Sequence, residues 1–404
     1  MEPGDFLKER FRAYYSDAEV EGPPSINERE FGYGTFGRKI ADRHLAFENS
    51  KELNAFLVSE VPLFISCSSA RYKFPGKKPM SAKEPFAVDL IYEFDADDLE
   101  TGCKEKHDSW ECKCGESGKG RALRCPKCGL HTSLKEWVCP ECLSATKKQT
   151  RKLLDFFEND FSLTEGISLN FSGHKGYHIH VRNDELSKLS QGARLDLLDY
   201  LTAHNLSPQL RGFSMDGNKM LCPSLRSAGG WDRRILDGII SLLEEEDADR
   251  IAVWGNISKA ESKRLLNDKD KIITGMKAGL LYQLPGRKTE KFWLSLVEGV
   301  VGNLALDIDR QTSVDASKIV RVPNTLHGST GLLAKTFPVE ELKKFRPLED
   351  TIVFGDNAVK VSLGECPRFV LNGKSFGPFT ESAELPEYAA IYLLGKGVAN
   401  GLVL

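Results

Sequence analysis

No run of apolar residues in this chain approaches the roughly 18 needed for a membrane-spanning helix. The N-terminus, MEPGDFLKERFRAYY, is charged and lacks the apolar core of a signal peptide. With no membrane contact or leader legible, the expected location is cytoplasmic, or nuclear in a nucleated cell. Charge of one sign is missing as well: 55 Lys and Arg stand against 58 Asp and Glu, a net charge of −3. A nucleic-acid partner is therefore invisible in the total, and any basic surface must be local. Long repeats, low-complexity linkers and heptad runs are absent. At 404 residues and 41% apolar content, the chain is too long for one small core and reads as two or three globular domains.

Cysteine is not scarce, but its placement argues against disulfides. Seven of the ten lie between 103 and 142, with Cys67, Cys222 and Cys366 scattered elsewhere. In a reducing compartment such a cluster reads as metal binding. With His107 the candidate ligands are Cys103, Cys112, Cys114, Cys125, Cys128, Cys139 and Cys142. CPKCG and CPEC are C-x2-C knuckles and CKCG is a shortened one. Closed, thiolate-rich sets of this kind are structural zinc sites, and eight ligands make two of them. One partition is nested: Cys112, Cys114, Cys125 and Cys128 inside, Cys103, His107, Cys139 and Cys142 outside. The other joins neighbours, 103/107/112/114 and 125/128/139/142. The nested one is preferred, because two Cys-Gly knuckles then face each other. Neither set has an open position, so catalytic zinc is not expected.

VDLIYEFDADDL (88–99) starts as a buried strand and ends in aspartates. Residues i and i+2 of a strand share a face, so Asp95 and Asp97 project together if the strand persists to 97, with Asp98 on the other side. Paired carboxylates repel unless a cation or a shared proton intervenes. Hard oxygen ligands of this type suit Mg²⁺ or Mn²⁺. An ordinary acidic turn is the competing explanation.

FSGHKGYHIHV (171–181) supplies a second constellation. Gly173 and Gly176 permit a tight turn and close backbone approach. Ser172, His174 and Lys175 sit on that turn, and His178 and His180 share one face of the next strand. Hydroxyl, ammonium and imidazole donors around such a turn form a plausible triphosphate cradle. A late segment, DIDRQTSVDASKIVRVPNTLHG (307–328), offers Asp309 as a third carboxylate, with Asp307 and Asp315 as rivals, and adds Arg321 and His327. From Val61 to Lys83 there are five basic residues and no acid, which reads as a solvated loop or as a phosphate-backbone contact.

Around these motifs, 143–161 reads as an amphipathic helix with a basic first half, and GISLNFSG and GYHIHVR as two short strands. Four long stretches between 184 and 300 have helical periodicity and length. TIVFG, VKVSLG and RFVLNG (351–373) read as strands, and LPEYAAIYLLGKGVANGLVL as an amphipathic C-terminal helix. The expected organisation is an α/β core over 1–183 and 301–404, containing the zinc-binding segment 103–142, with a helical subdomain at 184–300.

Taken in order, FDADD, the cysteine cluster, SGHKGYH and DRQTSVDASKIVRVPNTLHG resemble the small catalytic subunit of archaeal and eukaryotic DNA primases. REFGYGTFGRKIADRHLAF and SSARYKFP also look like that family's N-terminal region. The resemblance implies an RRM-like catalytic core with helices around a small mixed sheet, and a divalent-metal nucleotidyl transfer that makes primers from NTPs, with dNTPs the alternative, on single-stranded DNA. It implies Asp95, Asp97 and Asp309 as the Mg²⁺ or Mn²⁺ ligands, with Asp307 as fallback. Ser172, Lys175, His178, Arg321 and His327 match nucleotide-binding positions, and Arg43 is a weaker candidate. His174 stands where the family commonly has arginine, and an imidazole's charge depends on pH. Two zinc sets exceed the family's usual one. A large-subunit partner bearing an iron–sulfur cluster, and the wider replication machinery, are implied by resemblance only. The competing readings are a primase-like repair polymerase and a non-catalytic zinc-ribbon protein that binds nucleic acid.

Overall fold

In the computed structural model the chain is described over residues 2–35, 38–284, 288–308 and 313–403. It divides into two compact units. The first comprises Met1–Thr150, Glu165–Arg194 and Asp307–Leu404; the second comprises Arg151–Thr164 and Leu195–Leu306. Helices and small sheets alternate in the first unit, as expected for the α/β class.

Two four-stranded sheets carry the first unit. One runs in the order β15 (Ile319–Arg321), β3 (Phe64–Ser68), β1 (Phe31–Thr35), β2 (Arg38–Leu45). Its β15 lies against β3 with Arg321 opposite Ser66. The other runs β16 (Thr336–Phe337), β10 (Ile167–Phe171), β11 (Gly176–Val181), β6 (Leu90–Asp95). Leu90, Ile91, Tyr92 and Phe94 are all buried, so β6 is anchored on both faces. Every residue of β11 is buried too, and its register against β6 sets Gly176 opposite Asp95 and His178 opposite Glu93. β6 stops at Asp95, so Asp97 lies on a turn rather than on the strand.

β4 (Ala70–Tyr72) and β5 (Pro85–Val88) form a separate two-stranded hairpin that leads into β6. The cysteine-rich segment contributes β7 (Ser109–Glu111), β8 (Ser117–Lys119) and β9 (Ser133–Lys135), paired in the order β8-β7-β9. Its apolar centre is Trp110 with Cys112 and Cys125, against Ala122 and Leu134. That is too little buried surface to hold a ribbon without a cross-link or a metal.

The second unit is largely helical. Gly230–Glu244 buries Ile235, Leu236, Ile239, Leu242 and Leu243 along one stripe, as its 3.6-residue periodicity requires. Ala248–Trp254, Lys259–Leu266, Lys269–Lys277 and Thr289–Leu304 follow. Pattern reading did not anticipate the three-stranded sheet of β12 (Met215–Asp216), β13 (Lys219–Leu221) and β14 (Leu280–Leu281). Its strands are too short to show an alternation.

Near the C-terminus two expectations fail. TIVFG is not a strand: it follows a short helix, Pro347–Asp350, and its carbonyls are taken by loop contacts, Thr351 accepting from Leu333 N–H and Gly355 from Tyr388 N–H. The final stretch is not one amphipathic helix. Its helix, Glu387–Gly395, is buried over every residue from Glu387 to Leu394. Just past its end lies Gly397, whose φ of +70° suits glycine. The chain then returns as β21 (Ala399–Leu402) beside β17 (Ala358–Leu363), with β20 (Ser382–Pro386) on the other edge and a hairpin of β18 (Phe369–Leu371) and β19 (Lys374–Phe376) nearby in sequence. No helix among the described residues is long and apolar enough to cross a membrane.

The closest constraint in this fold is at Gly176, where a Cβ would collide with the Phe94 carbonyl and the Asp95 carboxylate. Gly176→Ala is expected to push β11 away from β6 and to cost about 1–3 kcal/mol or more of stability. A thermal melt against wild type checks this, and an unchanged melting temperature would count against the close approach.

Candidate active site

At the end of β6 the carboxylates of Asp95, Asp97 and Asp98 offer oxygens that all lie within 4.8 Å of one another. Asp98 is therefore not on the opposite side: because the strand stops at Asp95, the turn brings it back to its neighbours. One oxygen of Asp95 and one of Asp97 are buried with no hydrogen-bond partner. Among the described residues the cation beside the pair is Lys175, whose Nζ bonds Asp97 and stands 3.7 Å from Asp95. Burial pushes the Asp95 carboxyl up to about 7, against the pull of Lys175 and with the push of Asp97. Orphaned buried oxygens in a hard-oxygen cluster are what a divalent cation would satisfy.

The glycine turn is built by Ser172. Its hydroxyl oxygen accepts from the backbone N–H groups of His174, Lys175 and Gly176 at 3.2–3.3 Å. Gly173 has φ +77°, and a Cβ there would stand 2.8 Å from His327 Cβ. The Thr330 hydroxyl donates to the Gly173 carbonyl at 2.5 Å, tying the turn to the segment that carries His327. The rings of His174 and His327 stack at 4.8 Å. The structure thus brings together Ser172, His174, Lys175 and His327, motifs about 150 residues apart.

His178 is buried on β11 with Nε2 3.5 Å from Glu93 and no partner for Nδ1. Burial lowers its pKa, Glu93 opposes that shift, and Lys318 and Arg321 add to it. Arg321 has two buried nitrogens, Nε and Nη1, without an acceptor, and burial pulls its pKa down to about 10. Its guanidinium lies 5.0 Å from the Phe64 ring. Unsatisfied guanidinium and imidazole donors in a buried setting are suited to phosphate oxygens.

Three residues joined this geometry without being singled out from sequence. Asp98 needed the turn, and Glu93 and Lys318 form an ion pair at 2.6 Å beside His178. Glu93 lies two positions before Asp95, so strand alternation alone was the available signal. Other candidates sit elsewhere. Arg43 is paired with the buried Glu30 and donates to the Ser317 carbonyl. Asp307 accepts from Gln149 at 2.7 Å, and the exposed Asp315 caps Ser317. Asp309 lies outside the described residues.

The cysteine ligands fall into two groups: Cys103, His107, Cys139 and Cys142, and Cys112, Cys114, Cys125 and Cys128. This is the nested grouping. In the first, His107 Nε2 lies 3.3 Å from Cys142 Sγ while Nδ1 faces Asp108 at 2.8 Å. A carboxylate behind the ring orients a ligating histidine in this way.

A cation at this cluster would compete with the proton that the raised carboxyl of Asp95 holds. Asp95 holds its proton more tightly folded than unfolded, so its contribution to stability is present below about 4 and lost as pH rises through about 7. A dication relieves the ionised cluster, so Mn²⁺ should raise the melting temperature more at pH 8 than at pH 6. Apparent affinity should fall by up to about tenfold per pH unit below 7. Asp95→Asn should flatten that dependence; a pH-independent Mn²⁺ shift in wild type would contradict it.

Comparison with known proteins identifies the family. A family model described as DNA primase small subunit matches residues 133–338, just over half of the chain, and takes in the glycine turn, Arg321 and His327. The DNA primase small subunit PriS of Methanothrix thermoacetophila is 32% identical, with 98% of each chain covered. Those of Cenarchaeum symbiosum and Archaeoglobus fulgidus are 29% and 28% identical, covering 98% of this chain and 97% and 98% of their own. These matches extend past both cysteine groups and the acidic cluster, and with them the chain belongs to the DNA primase small subunit family.

Proposed function

We propose that Asp95 and Asp97, with Asp309 as third carboxylate, hold the Mg²⁺ or Mn²⁺ of the nucleotidyl-transfer centre. Lys175, His178, Arg321 and His327, with the Ser172–His174 turn, would bind the incoming NTP. As a member of its family the chain is a primase, a nucleotidyltransferase that synthesises primers in DNA replication. The observation that carries the site assignment is the convergence of unpartnered carboxylate oxygens at the end of a rigid, buried strand.

Bound there, a divalent cation supplies charge neutralisation at the phosphoryl oxygens and a lowered pKa for the attacking hydroxyl. The residues divide the remaining work. Ser172 gathers three backbone N–H groups and so fixes the turn that carries His174 and Lys175. Lys175 offsets the aspartates' mutual repulsion and is within reach of an arriving phosphate's charge. Arg321 Nε and Nη1 and His178 Nδ1 are available to ligand oxygens at no loss of existing hydrogen bonds. Glu93 holds Lys318 and faces His178, limiting where that ring sits.

The two cysteine groups would hold structural Zn²⁺, since thiolate and imidazole donors suit that ion and neither group keeps a position open. Single-stranded DNA template and NTPs are the substrates the family implies, and a large subunit is the partner we propose.

Unprimed synthesis on a single-stranded homopolymer with labelled NTP tests the site. Wild type should make metal-dependent product, and the Asp95→Asn/Asp97→Asn double variant should lose roughly 10³-fold or more while melting normally. Equal synthesis by both proteins would remove these carboxylates from the mechanism. Separately, metal analysis should find close to two Zn²⁺ per chain. Stripping them should lower the melting temperature even without substrate, and a zinc-free protein of unchanged stability would sink the structural role.

A further inference from the structure

The basic stretch before Lys83 folds into the hairpin of β4 and β5 and the loop between them. Two aromatic rings stand out on it, Phe74 at 40% and Phe86 at 44% exposure. Each carries a cation: Lys77 Nζ is 3.5 Å from the Phe74 centroid and Arg71 Cζ is 5.4 Å from that of Phe86. Arg71 also meets Glu28 at 3.6 Å, and Lys73 pairs with Glu84 at 3.0 Å. Lys77 and Lys78 are exposed and have no carboxylate partner among the described residues. An exposed ring with a cation beside it thus occurs twice on one hairpin.

A merely solvated loop would not need to be held in shape, and this one is. Lys73 N–H donates to the Glu84 carbonyl and Phe74 N–H to the Lys83 carbonyl, at 3.2 and 3.1 Å. Lys83 is fully buried and its ammonium donates to the Pro75 carbonyl from inside the loop. Burying a lysine costs stability unless its charge is well bonded. Here the buried ammonium fixes the loop that displays Phe74, Lys77 and Lys78.

We propose that this hairpin is a docking surface for the single-stranded DNA template, with bases stacking on Phe74 and Phe86 and backbone phosphates meeting Arg71, Lys77 and Lys78. The proposal rests on the primase reading and adds a template contact to it. Stacking on aromatics beside cations is the chemistry by which single strands are held without regard to sequence. The chain's net charge of −3 gives a polyanion no general attraction, so a local basic surface is required. Fewer than ten residues separate Phe86 from Asp95. The surface is therefore within about 35 Å of the carboxylates, a span of roughly ten nucleotides at 3.4 Å each.

The test is fluorescence anisotropy of a labelled oligodeoxythymidylate of about 30 nucleotides, with the full chain, across a range of NaCl concentrations. Lys77→Ala/Lys78→Ala should weaken binding and reduce the slope of log K against log salt by about 0.7 per lost phosphate contact. Lys77→Arg/Lys78→Arg should restore both. Phe74→Ala/Phe86→Ala should lose at least about fivefold per stacked base, with the slope unchanged. Should the phenylalanine variant melt early, the lysine variants, which touch no core, decide the matter. Wild-type affinity and slope in Lys77→Ala/Lys78→Ala would overturn the proposal. So would loss of binding to acidic lipid vesicles by that variant while its DNA binding stays intact. Asp95→Asn/Asp97→Asn separates the two readings: it should bind the oligonucleotide normally and make no primers. Absence of synthesis by wild type would fail the primase site, whereas normal synthesis and template binding by the hairpin variants would fail only the hairpin.

Discussion

Like charges held close together at the end of β6 set the terms for the surrounding structure. Asp95, Asp97 and Asp98 can come together only because the strand beneath them is fixed by residues buried on both faces. Gly176 lets the neighbouring strand pass where a side chain would meet the Asp95 carboxylate. The next residue back, Lys175, then delivers its ammonium to that cluster. One short hairpin therefore provides both the close approach and the compensating charge. The raised pKa at Asp95 shows that the compensation is incomplete: burial still disfavours the ionised form. A site left short of positive charge in this way would be relieved by a bound cation.

The cysteine ribbon solves a different problem. Its three strands are three residues each and its apolar centre is one tryptophan with a few small neighbours. Surface burial on that scale does not offset the chain entropy of ordering some forty residues. Two groups of four candidate ligands, one at the base of the segment and one within it, would replace the missing core if metal is bound. The base group includes Cys103, close behind the aspartates in sequence, and Cys139 and Cys142, at the start of the helix Pro140–Phe161. A metal there would tie the two ends of the insertion together, leaving the inner group to order the ribbon alone.

Much of this was legible because the informative features are local. β6, β10 and β11 announce themselves by apolar runs and glycines, and the cysteine spacing allows two groups of four. What sequence does not carry is where elements stop. Asp98 was set aside because alternation was extended past Asp95, and the turn that ends the strand reversed its side. The nested and the neighbouring cysteine partitions have identical residues, so only three-dimensional proximity distinguishes them. TIVFG has strand composition, but a preceding helix and loop contacts to its carbonyls took it out of any sheet. The C-terminal helix looked amphipathic over a window that included the strand after it, and burial of all its faces became visible only with the fold. Glu93 and Lys318 belong to the same class of omission, since an ion pair across 225 positions leaves no trace in either neighbourhood.

Two kinds of cationic group are available to anions in this chain, and burial separates them. Arg321 is desolvated enough for its pKa to fall to about 10, and its Nε and Nη1 lack acceptors. Such a group is costly to leave empty and strong once paired, and its geometry is fixed by packing, which suits a triphosphate that must be held in one position. Lys77 and Lys78 are the opposite case: exposed and screened by salt. Each contact of that type is weak and readily exchanged, which suits a template that must be held yet advance by one nucleotide at every addition. A net charge of −3 is compatible with both, because neither array depends on the field of the whole protein. The near-neutral total also limits non-specific attraction elsewhere on the surface, so a strand gains most where rings and cations occur together.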